Sequence, residues 1–75
     1  MSKTEFLNRL GEILEVPAGS LTGDQKLEDL EEWTSLGMMS FIAFAHENFG
    51  KTLSPRVFAS CDTVDDLARL VGVEA

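Results

Sequence analysis

The sequence predicts an all-α fold: a four-helix bundle of three longer helices and a short third helix, with a long loop between helices 1 and 2. Three observations carry that expectation. Apolar residues recur at spacings of three and four through most of the chain, which is the helical period. Ser, Thr, Pro and Gly stand where helices start and stop. Against a sheet, the chain has no Tyr, few β-branched residues and no sustained period-two alternation.

The first helix opens on Ser2, which with Glu5 has the Ser-x-x-Glu form of a capping box. Phe6, Leu7, Leu10, Ile13 and Leu14 then fall on one face. Pro17 cannot continue the helix, so the chain leaves it near Val16. Gly11 weakens it by about 1 kcal/mol relative to Ala, which a helix with this apolar face tolerates.

Residues 17 to 33, "PAGSLTGDQKLEDLEEW", form the long connection. Leu21, Leu27 and Leu30 are too regularly placed for a free linker, so the loop is expected to be pinned to the bundle, with one helical turn around Leu27 to Leu30. Loops of this length in small domains tend to be functional or to join elements that are not simple neighbours.

The second helix is expected from about Ser35 to Asn48, stopping at Gly50. Its spacing gives a core face of Met38, Phe41, Ile42, Ala45 and Phe49. The opposite face carries Leu36, Met39, Ser40, Ala43 and Glu47, with Phe44 and His46 on the flanks. The short third helix starts at Ser54 with Pro55 at its first position and Val57, Phe58 and Cys61 facing in. The last begins at Thr63, places Asp65 and Asp66 where the helix dipole favours acids, packs on Val64, Leu67, Leu70 and Val71, and ends at Gly72.

A chain of 75 residues makes one domain at most and buries only about 60% of its unfolded surface. One cysteine, Cys61, cannot form an internal disulfide, and one Cys with one His is too little for a structural zinc site. Stability must therefore come from an ordinary core drawn from the 44% of residues that are hydrophobic. The single cysteine fits a reducing compartment. With no secretory leader pattern and no apolar run near the ~18 residues a membrane span needs, the chain reads as soluble, cytoplasmic and unprocessed. A net charge of −7 repels the phosphate backbone, so nucleic-acid binding is disfavoured. The same charge favours basic partners without identifying one.

Enzymatic readings find little support. Ser35 lies in "WTSLG", not in a G-x-S-x-G elbow, and stands eleven residues from His46 on one helix. That is roughly 16 Å along the axis, so the two cannot touch. His46 has no metal-ligand partner at a useful spacing, Cys61 sits among apolar residues, and the acids of residues 24 to 32 lack the ladder of a calcium loop. Ser35 itself has two readings. Thr34 or Ser35 is an ordinary N-cap. That is the stronger reading on local physics, yet a helix N-terminus also tolerates a phosphodiester on that hydroxyl, beside an outward face (Leu36, Met39, Ala43) that is unusually apolar and suited to transient docking.

On these residues the chain resembles the acyl carrier protein family. "TSLGMMSFIAFAHENFG" stands where the family has Asp-Ser-Leu opening the second helix of a four-helix bundle, and "ENFG" resembles that helix's ending. "SPRVFASCDTVDDLARLV" is similar to the short third helix and the Thr-Val-x-x-Leu start of the fourth, and "LEDLEEW" to the leucine-bearing approach to the serine. The resemblance covers nearly the whole chain. It implies a single carrier-protein domain over residues 1–75, not an enzyme, with Ser35 bearing covalent 4′-phosphopantetheine and an acyl or aminoacyl group held as a thioester. It implies a phosphopantetheinyl transferase, a loading ligase and downstream enzymes as partners, met through Leu36, Met39, Ser40, Ala43 and Glu47. Charge, hydropathy and ligand spacing separately argue against nucleic acid, membrane and metal, and a monomer is the default expectation. Thr34 replaces the family's Asp, and Gly37, Ser40 and His46 stand where fatty-acid carriers tend to be acidic. Recognition should then rest on apolar contact more than charge, which points to a specialised carrier. Five Phe residues make a bulky core for a bundle that would have to open around a long acyl chain, so a short or polar cargo is expected. The alternative is an unmodified helical module that docks through the Met39 patch.

Overall fold

Helix starts in this chain are decided by hydroxyl side chains, because the first amides of a helix have no partner within it. In the computed structural model, which describes residues 1–74, α1 spans Lys3–Leu14 and begins on Ser2, whose Oγ accepts the Glu5 N–H at 3.1 Å. Only this half of the expected capping box forms; the return bond from Glu5 is not made. The helix also ends before Pro17 forces it to. Glu15 adopts the left-handed conformation (φ 58°), and the Val16 N–H closes on the Gly11 carbonyl at 3.0 Å.

The loop after α1 is not a free connection. Leu21 and Leu27 are buried, and Leu27–Asp29 forms a single 3-10 turn. Its backbone bonds to the start of the last helix: Leu27 N–H to Asp62 O at 2.9 Å, Val64 N–H to Gln25 O at 3.1 Å and Asp65 N–H to Gly23 O at 2.8 Å. Gly23 has φ 97°, and a Cβ there would collide with Asp65 Oδ1. That carboxylate pairs with Lys3 Nζ at 2.8 Å, so the starts of α1 and of the last helix are clasped through the loop.

Helix α2 spans Ser35–Phe49 and stops as expected at Gly50, which takes φ 65°. The short third element is a 3-10 helix, Pro55–Ser60, with Phe58 buried and Val57 and Cys61 half-buried. Helix α3, Val64–Leu70, is only seven residues long, barely more than the element before it. Gly72 (φ 86°) turns the chain so that the Val73 N–H returns to Ala68 O at 2.9 Å. This turn buries Val71 and Val73 and adds Ala68 to the packed face, while Leu70 stays half-buried. Among the described residues there is no strand, only one isolated bridge between Lys26 and Thr63.

All six aromatic side chains join one network. Phe41, fully buried, lies 6.2 Å from Phe6, 6.2 Å from Trp33, 6.1 Å from Phe44 and 6.0 Å from Phe58 between ring centroids. Trp33 meets Phe58 edge-on at 5.2 Å, and Phe49 joins through Phe44 at 5.7 Å. Such tilted and edge-to-face pairs are favoured beyond the area they bury. Phe44, expected on a flank, is in the core. Phe6 of α1 packs on both Phe41 and Phe44, so α1 covers a wider stripe of α2 than spacing alone implies. Arg9 closes the solvent side of Phe44, its guanidinium 5.8 Å from the ring centre.

Candidate functional site

The start of α2 is built by a tight approach. The Trp33 N–H bonds Leu30 O at 3.0 Å and the Thr34 N–H bonds Glu32 O at 2.9 Å, which folds the chain back just before the helix. Thr34, in extended backbone, is the cap: its Oγ1 accepts the Gly37 N–H at 3.3 Å and its carbonyl accepts the Met38 N–H at 2.9 Å. Ser35 is therefore the first helical residue, exposed and relieved of capping. Among the described residues no group hydrogen-bonds its hydroxyl, and the amides of Ser35 and Leu36 have no protein acceptor.

Gly37 makes this approach possible. A Cβ there would stand 2.7 Å from the Glu32 carbonyl oxygen and 2.9 Å from Leu14 Cδ2. The backbone of the approach lies flat on the first turn of α2, and only glycine leaves room. Gly37, which stands where fatty-acid carriers tend to be acidic, has a steric role. The available signal was the glycine itself, since an interior helical glycine costs about 1 kcal/mol and marks a place where something must come close.

The outward face is as apolar as its spacing implies. Leu36 and Met39 are 75% and 66% exposed, Ala43 and Glu47 are exposed, and Ser40 is half-buried. His46 is exposed near the other end of α2, far from Ser35. Cys61 is a free, half-buried thiol. Burial pushes its thiol pKa up, and the Asp66 and Asp62 carboxylates push it further. Among the described residues, no three His, Cys, Asp or Glu side chains gather to hold a metal, and no helix is long and apolar enough to cross a membrane.

This is a helical bundle that offers, at the start of α2, an exposed hydroxyl making no hydrogen bond within the described residues. A sequence-family model described as "Phosphopantetheine attachment site" matches residues 4–71, and the chain belongs to that family. Its members carry covalent 4′-phosphopantetheine; they are carriers for enzymes such as transferases and ligases, and not themselves catalysts. No curated protein and no solved structure matches the chain. The start of α2 fits the group: the phosphodiester needs a free hydroxyl and gains from nearby unpaired amides, and both are present.

Proposed function

We propose that Ser35 carries the 4′-phosphopantetheine group and that residues 1–75 act as one cytoplasmic, monomeric carrier unit. The observation that supports this most directly is the exposed Ser35 hydroxyl, freed from capping by Thr34 and set beside two unpaired amides. The group supplies a terminal thiol that holds an acyl or aminoacyl intermediate as a thioester. The chain's part is to hold the attachment point still and to present a docking face. The amides of Ser35 and Leu36 offset the phosphodiester charge. Leu36, Met39, Ser40, Ala43 and Glu47 form the side of α2 that meets a phosphopantetheinyl transferase, a loading ligase and downstream enzymes.

That face has two strongly exposed apolar side chains and one acid, which favours recognition by apolar contact over charge. With Thr34 in place of Asp, this supports a specialised secondary-metabolite, lipid or aminoacyl pathway. Intact mass after incubation with coenzyme A and a promiscuous transferase tests the assignment. Wild type should gain one phosphopantetheine and Ser35→Ala none. Equal gain by both would move the site, and no gain by wild type would leave an unmodified docking module.

A further inference from the structure

Two surface depressions lie along the seam between α1 and α2. One, of about 380 Å³, is bordered by Thr34 and Leu36, the two chain neighbours of Ser35. The other, of about 330 Å³, reaches Glu47 and Asn48 near the end of α2. They share Ile13 and Ser40, so they adjoin along the seam, one reaching Thr34 and Leu36 on either side of Ser35 in the chain and the other lying farther down the helix; together they are called the trough below. The interior is the contrasting space. Phe6 and Phe41 are fully buried, and every aromatic ring of the chain is tied into the network around them.

We propose that the trough between α1 and α2 is the resting place of the prosthetic arm, which lies along the surface with a short acyl group at its end and not inside the bundle. The inference rests on Ser35 being the attachment site. Length supports it. Leu36 to Glu47 spans eleven residues, about 16 Å of helix at 1.5 Å per residue. The arm has about thirteen bonds from phosphorus to sulfur, the reach of a little over four extended residues, or roughly 15 Å.

The uncharged part of the lining supports it too, while Glu12, Glu15, Glu32 and Glu47, which also border the trough, repel the phosphodiester and leave the neutral part of the arm as the portion that settles there. Ile13 gives the shared floor an apolar surface for the methyl-bearing part of the arm. The arm's amides need hydrogen-bonding groups, and the trough offers the Ser40 hydroxyl and the Asn48 carboxamide. Asn48 Nδ2 already donates to Phe44 O at 3.1 Å, which leaves its side-chain oxygen free to accept. The far end is walled by Arg9, held against Phe44. A long acyl chain would run past this wall into solvent or have to part the ring network, so the site favours short cargo.

The test uses the full-length modified protein with a nitroxide attached to the arm's thiol. Paramagnetic broadening of amide signals should be at least twofold stronger at Ile13, Ala43 and Glu47 than at Val57 and Ser60, on the element that packs elsewhere on α2. Glu12→Trp, which fills the trough from an exposed position on α1 outside the docking face, should still take up the arm by mass but lose most of the broadening at Glu47. Broadening centred on Pro55–Ser60, or fading evenly in all directions from Ser35, would overturn the trough. If Glu12→Trp does not fold, the wild-type pattern alone decides. Failure of wild type to acquire any arm is a different result: it removes the Ser35 assignment, and the trough with it.

Discussion

Helices α2 and α3 both begin on a threonine, yet their starts are finished in opposite ways. Thr34 and Thr63 each accept the N–H three residues on, both at 3.3 Å. At Thr63 the residue three on is Asp66, whose Oδ2 takes the Asp62 and Thr63 amides at 2.8 and 3.1 Å. The loop carbonyls of Gln25 and Gly23 take the Val64 and Asp65 amides, so every amide of that start has a partner. At Thr34 the residue three on is Gly37, the first turn holds no acid, and the Ser35 and Leu36 amides are left open. The closed start serves the fold. The open one keeps a hydroxyl and positive dipole available to an incoming anionic group. The same cap residue heads a fully paired start in one place and an open one in the other, and its neighbours decide which.

The sharpest way to break this comparison is Ser35→Ala. It should abolish phosphopantetheine uptake by mass while changing stability by less than about 0.5 kcal/mol in urea titration, because an exposed side chain without contacts is lost. A large stability loss would mean that Ser35 belongs to the cap after all. Gly37→Ala should cost about 1–3 kcal/mol, since the Glu32 carbonyl and Leu14 must give way, and should also slow uptake. Thr63→Ala should cost about 1 kcal/mol, a drop of roughly 4–8 °C in Tm for a domain of this size, with uptake at Ser35 unchanged.

Smaller effects sharpen the contrast. Thr34→Asp keeps a capping oxygen and adds a charge to open amides, so thermal melts should show a gain of about 0.3–1 kcal/mol at low salt. Acid should separate the two starts without mutation. Backbone bonds from Asp62 and Thr63, more than the nearby Arg69 charge, hold the Asp66 pKa below its ordinary value of 3.8. Below that ordinary value the unfolded chain takes up the proton more readily than the folded one. The contribution is therefore present above it and is lost as pH falls through the folded pKa. Amide shifts of Asp62 and Thr63 should titrate below pH about 4, while the Gly37 amide, bonded to a hydroxyl, should not follow that titration.

Much of the contrast was legible in the sequence. Ser2, Thr63, Gly50 and Gly72 mark helix ends because they solve local backbone problems, and local problems leave local signatures. The position of Ser35 at the head of an apolar helix was readable for the same reason. Which of Thr34 and Ser35 caps the helix was not, since either hydroxyl could reach. Three features were hidden because they depend on a distant partner. Phe44 joins the core where Phe6 of α1 reaches across to it, alongside Phe41 and Phe49 of its own helix. The loop is held to α3 by backbone groups, which every residue has. The third element tightens to a 3-10 helix, a difference its Pro55 start does not encode. Gly37 lies between these cases: its presence was visible, and the carbonyl it makes room for was not.

Trp33 has a practical consequence of its own. It is the chain's one tryptophan, half-buried, two residues before Ser35, and edge-on to Phe58 at the boundary between α2 and the 3-10 helix. Its emission is therefore an intrinsic optical gauge, without any label, placed where the aromatic core meets the proposed attachment point. Unfolding should shift it to the red as the indole enters water, and a transferase closing over Ser35 should alter its quenching by iodide. One fluorophore can thus time both the folding of the bundle and the arrival of its partners.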